Sequence, residues 1–290
     1  SAAIEDREGS VWLGLFGGGV ARWLGEGNWE SFTAAEGLSG GPVWQMARDG
    51  KGVLWVATQK GVYTSYQRGG KLRWRRSPMA GESITRALIR DRAGNLWTGA
   101  VPDGVIRFSP ETGRRRVFGP ADGLPNSRPN GIHEDGSGRI WIAFPEGIYT
   151  GTPAERPASF AIAAGTEGSG ACYSIREPRP GEFWIGCRNG LLHGVDGRWR
   201  RYGGKDGLRE DWVGALACGR KGEVWVSYHG ALGITRLRLE GDRLATEHWN
   251  RSSGLGGELV YSLFFDSLGR LWSAGDRGAG VYDGKIWRYY

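Results

Sequence analysis

The chain has 290 residues, of which 52 are Gly and 12 Pro without a Gly-X-Y period, so it is not collagen-like. Hydrophobic residues at 39% and aromatics at 12% exclude a disordered chain, and no apolar run approaches the ~18 residues of a membrane helix. The formal charge of +7 raises nucleic acid as a partner, and the placement of the basic residues decides that question.

In chain order, the first element is IEDREGSVWLG at 4–14, and its pattern returns six times. ARDGKGVLWVA follows at 47–57, IRDRAGNLWTG at 89–99, HEDGSGRIWIA at 133–143, REPRPGEFWIG at 176–186, ACGRKGEVWVS at 217–227 and FFDSLGRLWSA at 264–274. The motif tryptophans, Trp12, Trp55, Trp97, Trp141, Trp184, Trp225 and Trp272, are spaced by 43, 42, 44, 43, 41 and 47 residues. A period of ~40–45 residues with several short strands per unit marks a β-propeller. The expected fold is therefore all-β: one domain over 1–290 with seven four-stranded antiparallel blades.

Each unit parses into strands A to D. Strand A is the apolar stretch before the turn, as in GPVWQMA or LVYSLFF. The A–B turn carries Asp6, Asp49, Asp91, Asp135 or Asp266, expected to be structural, and a Gly that takes positive φ. Pro178 and Gly219 replace that Asp in units five and six. Strand B holds the Trp, an expected wedge between blades. Strand C starts at a Gly-apolar step such as Gly61-Val62, and strand D holds aromatic and basic residues, as in LRWRR, RWRRY and KIWRYY. Strand D is the outer edge, where Lys and Arg resist pairing with other chains. That accounts for most of the basic surplus, and no nucleic-acid partner is expected.

The repeat, with its preceding loops Gly37-Leu38-Ser39, Gly123-Leu124-Pro125, Gly207-Leu208 and Gly254-Leu255, resembles the two-component regulator propeller repeat in all seven units. The resemblance implies a periplasmic sensor module of a bacterial hybrid two-component protein, excised from a larger chain, since this one starts at Ser1 and carries no kinase motif or membrane helix. It implies a small-molecule or oligosaccharide ligand, a homodimer within a sensor assembly, and membrane attachment only through segments absent from this chain. No cofactor or metal is expected.

The A–B turn keeps one length, its Gly always three residues before the Trp, whereas the Trp-to-Gly distance across the B–C loop reads seven, six, seven, six, six, eight and eight. Variable loops on a rigid scaffold are where binding residues sit. The face made of B–C and D–A loops is therefore the expected binding face. Its candidate ligand-binding residues are Trp44, Arg86, Arg128, Asn130, Tyr173, Arg188, Trp212, Tyr228, His229, Tyr261 and Arg277; Phe16 and Asp103 belong to the same loops. Rings cover the C–H surface of a polyhydroxylated ligand while polar groups fix its hydroxyls. Trp44, Tyr173 and Tyr261 have a competing role: each stands eleven residues before its motif Trp and is expected to pack on Ala57, Gly186 or Ala274.

Two further function classes stay open, a protein-binding scaffold and a propeller lyase resembling streptogramin-inactivating enzymes. Only His229, with Tyr228 beside it and Glu210 or Asp211 across the funnel, suits general acid–base chemistry. Of three cysteines, Cys172 and Cys187 are expected opposite each other, in a register that pairs Glu177 with Glu182 and Ile175 with Trp184. Such a pair can close a disulfide in an oxidising compartment, and Cys218 should stay free. Blades 1 and 7 are expected to meet by side-chain packing alone, without strand exchange.

Overall fold

The computed structural model describes residues 2–38, 41–100, 104–153, 159–241 and 243–290; Asp103 and Ser39 lie outside the described residues. Seven four-stranded antiparallel sheets form, each from consecutive strands. Their inner strands, A of blades 1 to 7, are Ala3–Glu5, Val43–Arg48, Leu88–Arg90, Gly131–Glu134, Cys172–Arg179, Val213–Cys218 and Val260–Phe265. Each touches the next, and the first touches the last, so the blades close a ring around a central channel. The chain is a seven-bladed β-propeller with almost no helix.

The core lies between blades. All seven motif tryptophans are buried, and they wedge against the following blade: Trp55 on Phe108, Trp141 on Phe183, Trp225 on Tyr282 and Trp272 on Trp23. In five blades the turn Asp fixes the wedge. In blade 1, Asp6 Oδ1 accepts the N–H groups of Glu8 and Ser10 at 3.1 and 2.8 Å, while Oδ2 accepts the Trp12 indole N–H at 2.8 Å. The indole bond recurs from Trp55 to Asp49, Trp97 to Asp91, Trp141 to Asp135 and Trp272 to Asp266, at 2.7–3.0 Å. One carboxylate thus ties the hairpin to the wedge six residues on. Blade 5, with Pro178 at the Asp position, instead stacks Trp184 on His193, ring centroids 4.1 Å apart.

The Gly-Leu loops have a shared geometry. Four three-residue 3₁₀ turns, Ala34–Glu36, Pro120–Asp122, Gly204–Asp206 and Arg251–Ser253, end at Gly37, Gly123, Gly207 and Gly254 with φ between 85 and 102°. That left-handed conformation favours Gly, and the next residue, Leu38, Leu124, Leu208 or Leu255, plugs the core. Strand C begins at or just after a positive-φ Gly in every blade. In blade 7 that residue is Gly278, six residues after Trp272 and two earlier than the sequence spacing suggested.

The ring closes without strand exchange, but not by packing alone. Trp23 and Trp29 of blade 1 meet Trp272 and Tyr290 of blade 7 at 5.1 and 5.6 Å. In addition, the Glu5 carboxylate accepts the Ser267 N–H and hydroxyl at 2.6 and 2.7 Å. Two internal seams repeat the backbone contact, Glu134 with the Arg92 N–H and Glu177 with the Gly136 N–H.

Candidate functional site

Strand A of blades 2, 5, 6 and 7 shares an irregularity. In blade 2, Val43 pairs with Thr58 and Gln45 with Ala57, leaving Trp44 as the extra residue of a β-bulge. Blade 5 pairs Cys172 with Cys187 and Ser174 with Gly186, leaving Tyr173; blade 7 pairs Val260 with Gly275 and Ser262 with Ala274, leaving Tyr261. Blade 6 bulges at Gly214-Ala215. The expected packing of Trp44, Tyr173 and Tyr261 on Ala57, Gly186 and Ala274 is therefore corrected: Gln45, Ser174 and Ser262 oppose those small residues. A bulge re-aims the side chain it frees, and here the three rings turn into the channel.

The blade 5 register near the turn is corrected too. Ile175 pairs with Ile185, Arg176 with Trp184 and Arg179 with Glu182. The hairpin thus starts at Arg179 and not at Glu177, and two irregularities, each adding one residue to strand A, make up the difference, so Cys172 still stands opposite Cys187. The two form a disulfide with Cα atoms 3.9 Å apart, and Cys218 is free. Burial pushes the Cys218 thiol up to about 12, against the pull of the Arg176 charge.

The rings and their neighbours enclose a cavity of about 420 Å³ at the channel mouth. Of the candidate residues, Trp44, Arg86, Asn130, Tyr173, Trp212, Tyr228, His229 and Tyr261 line it; Arg128, Arg188 and Arg277 do not. Two ladders form its rim. Phe16, half exposed at 50%, stacks on Tyr261 at 4.7 Å and meets Trp44 edge-on at 5.7 Å, and the Arg86 guanidinium lies 5.0 Å over the Trp44 ring. On the other side, Tyr173 stacks on Trp212 at 6.0 Å, His229 on Trp212 at 3.6 Å, and Arg188 sits 5.1 Å from the Trp212 ring.

Some candidates hold structure rather than offer it. The buried Tyr228 hydroxyl donates to Thr235 Oγ1 at 2.6 Å and accepts the Arg209 N–H at 3.2 Å. Asn130 donates its amide to the Cys172 carbonyl at 3.1 Å. Arg277 faces solvent with Asp276 at 4.0 Å. The other three histidines are held below the usual imidazole range, first by burial: His133 with the Arg176 charge adding to it, His193 against a 3.2 Å contact with Glu182, and His248 beside Thr235.

Sequence reasoning missed Gln45, Ser174 and Arg176, which line the deeper wall. Arg176 had a readable signal: it stands eight residues before its motif Trp, where the other units carry Ile4, Ala47, Ile89, His133, Ala217 and Phe264. Burial lowers its pKa, and one of its guanidinium nitrogens donates to the Ile175 carbonyl at 2.9 Å.

The ring matches several solved structures in fold. The extracellular domain of BT4673 from B. thetaiotaomicron, described as belonging to a hybrid two component system, superposes with a TM-score of 0.80 at 17% identity, over 97% of this chain and 37% of that one. PorZ, a surface component of the type-IX secretion system of Porphyromonas gingivalis, gives 0.74 at 17% identity over 96% and 46%. Virginiamycin B lyase from Staphylococcus aureus gives 0.74 at 14% identity over 96% and 92%. The chain thus spans just over a third of the BT4673 domain and nearly all of the lyase. No curated protein matches the chain significantly. The two component regulator propeller family matches residues 37–60, from the Gly-Leu loop through strand A, the Asp turn and the Trp of blade 2. The chain is thus a seven-bladed propeller that carries one matched two component regulator propeller repeat, whose Gly-x-x-Trp spacing returns in the other six blades.

Proposed function

We propose that the chain is the extracytoplasmic ligand-sensing propeller of a bacterial two-component signalling protein, and that a carbohydrate or similar small polar molecule binds in the rim cavity. The observation that carries this reading is the set of bulges, which turn Trp44, Tyr173 and Tyr261 out of blade packing and into one cavity. Its volume lies within the ~300–1,000 Å³ of small-molecule sites. A disulfide favours an oxidising compartment. A transmembrane signal needs two subunits to change their relation, so we expect the sensor to work as a homodimer; light scattering as a monomer with and without ligand would count against it.

A thermal-shift screen of oligosaccharides, followed by calorimetry, tests the binding. Saccharides that raise Tm should bind the Trp44→Ala and Tyr261→Ala variants at least tenfold more weakly while the unliganded Tm moves little. Unchanged affinity in both variants would remove the site.

A lyase reading rests on His229 at the rim. Its neighbouring acids are engaged elsewhere: Glu210 accepts the Gly230 N–H at 2.7 Å and Asp211 the Gly204 N–H at 2.8 Å. What orients His229 is the Trp212 ring and the bond from its own backbone N–H to the Trp212 carbonyl at 3.0 Å. A sensor binds without turnover; turnover of a bound ligand that His229→Ala abolishes would favour the enzyme.

A further inference from the structure

The charge around the cavity is one-sided. Arg86 and Arg176 line it, and none of its lining residues is Asp or Glu. Arg128, outside the cavity lining, is held below its usual range by burial and then by the positive charge of Arg86. The Nε atoms of Arg86 and Arg128 are buried without a hydrogen-bond partner. Among the described residues, neither side chain has a carboxylate within 4.0 Å. On the same face Glu82 pairs with Arg76, and Glu146 accepts the Ser127 hydroxyl at 2.7 Å.

Cations gathered in a half-enclosed cavity without counter-charge focus a positive potential on it. Guanidinium groups present planar forks that suit carboxylate and sulfate oxygens. Resting on the sugar-sensing reading above, we propose that the ligand is an acidic saccharide, its carboxylate or sulfate group held by Arg86, with Arg176 adding to the positive potential of the cavity, and its ring set against Trp44 and Tyr261. Neutral sugars lack the group that would balance the arginines. The acid supplies it, and Arg86, Trp44 and Tyr261, which all line the cavity, then contact one ligand together.

Calorimetry with matched probes tests this: oligogalacturonates against galacto-oligosaccharides, sulfated against desulfated chondroitin disaccharides, and inorganic sulfate alone. One of the acidic sets should bind at least tenfold more tightly than its neutral counterpart and weaken as salt rises. Which set wins tells carboxylate from sulfate. Arg86→Gln should lose about tenfold for the acidic sugar and much less for the neutral one, whereas Trp44→Ala should weaken both alike. The glutamine variant should leave the unliganded Tm within a few degrees of the parent, because it removes a charge without breaking an ion pair. Neutral sugars binding as well as acidic ones would overturn the acidic-ligand claim and leave sugar sensing standing. Inorganic sulfate alone matching the acidic sugars would also overturn it, and no saccharide binding at all would overturn both.

Discussion

The Asp of the A–B turn shows how one side chain can decide a blade. Asp91 accepts the Asn95 N–H at 2.7 Å, the Asn95 amide at 2.9 Å and the Trp97 indole at 2.8 Å. Asp91→Ala orphans a buried indole N–H and loosens the turn, at a cost of about 2–3 kcal/mol, read as a lower urea midpoint; an unchanged midpoint would make the clamp decorative. The same carboxylates set the acid response. For Asp6 and Asp135 burial opposes ionisation, but hydrogen bonds from the indole and the turn outweigh it and hold both below the usual range. Their stabilisation is full above the unfolded pKa of ~3.9 and is lost as pH falls through the folded values. His133, His193 and His248, kept neutral by burial, act in the same direction from a higher pH. The unfolded chain takes up their protons first, below ~6.5. The urea midpoint should therefore hold near pH ~7–8, decline from about pH 6.5 downward and decline again below about pH 4. A midpoint flat from about pH 7 to about pH 5 would deny the histidines that role. The cysteines give a simpler test: the unreduced, denatured protein should expose one reactive thiol, Cys218, and three would exclude the bond between Cys172 and Cys187.

At the scale of the strand, the bulges separate what was legible from what was not. The motif residues report the blade directly, because Asp, Gly and Trp each have one job at a fixed offset. The rim rings were legible as residues of the B–C and D–A loop face, yet their orientation was not. A bulge shifts every side chain beyond it to the other face, and the apolar pattern of strand A accommodates either register. The extra residue appears only when inner and second strands are paired. Deleting Tyr261 should let Val260 and Ser262 continue an unbroken ladder opposite Gly275 and Ala274. The variant should fold with a Tm within a few degrees of the parent and lose ligand affinity at least tenfold. A collapse in stability would mean that the bulge serves the ring and not the cavity.

Across the whole molecule, the period of the tryptophans was enough to read the number of blades and their contiguity. The seam was legible in outline, while the Glu5 bonds to Ser267 joined residues 262 apart that no local pattern connects. The charge of the cavity was hidden for the same reason: Arg86 and Arg176 come from different blades and meet in one cavity only when the ring closes. Ligand is expected on the face of B–C and D–A loops, at the channel mouth. Hydrogen-exchange mass spectrometry with and without a saturating saccharide from the screen locates it. Exchange should slow in peptides covering 43–46, 84–88, 171–175 and 210–214, with the A–B turns at 49–53, 91–95 and 135–139 unchanged. Protection confined to those turns, on the opposite face, would contradict that placement.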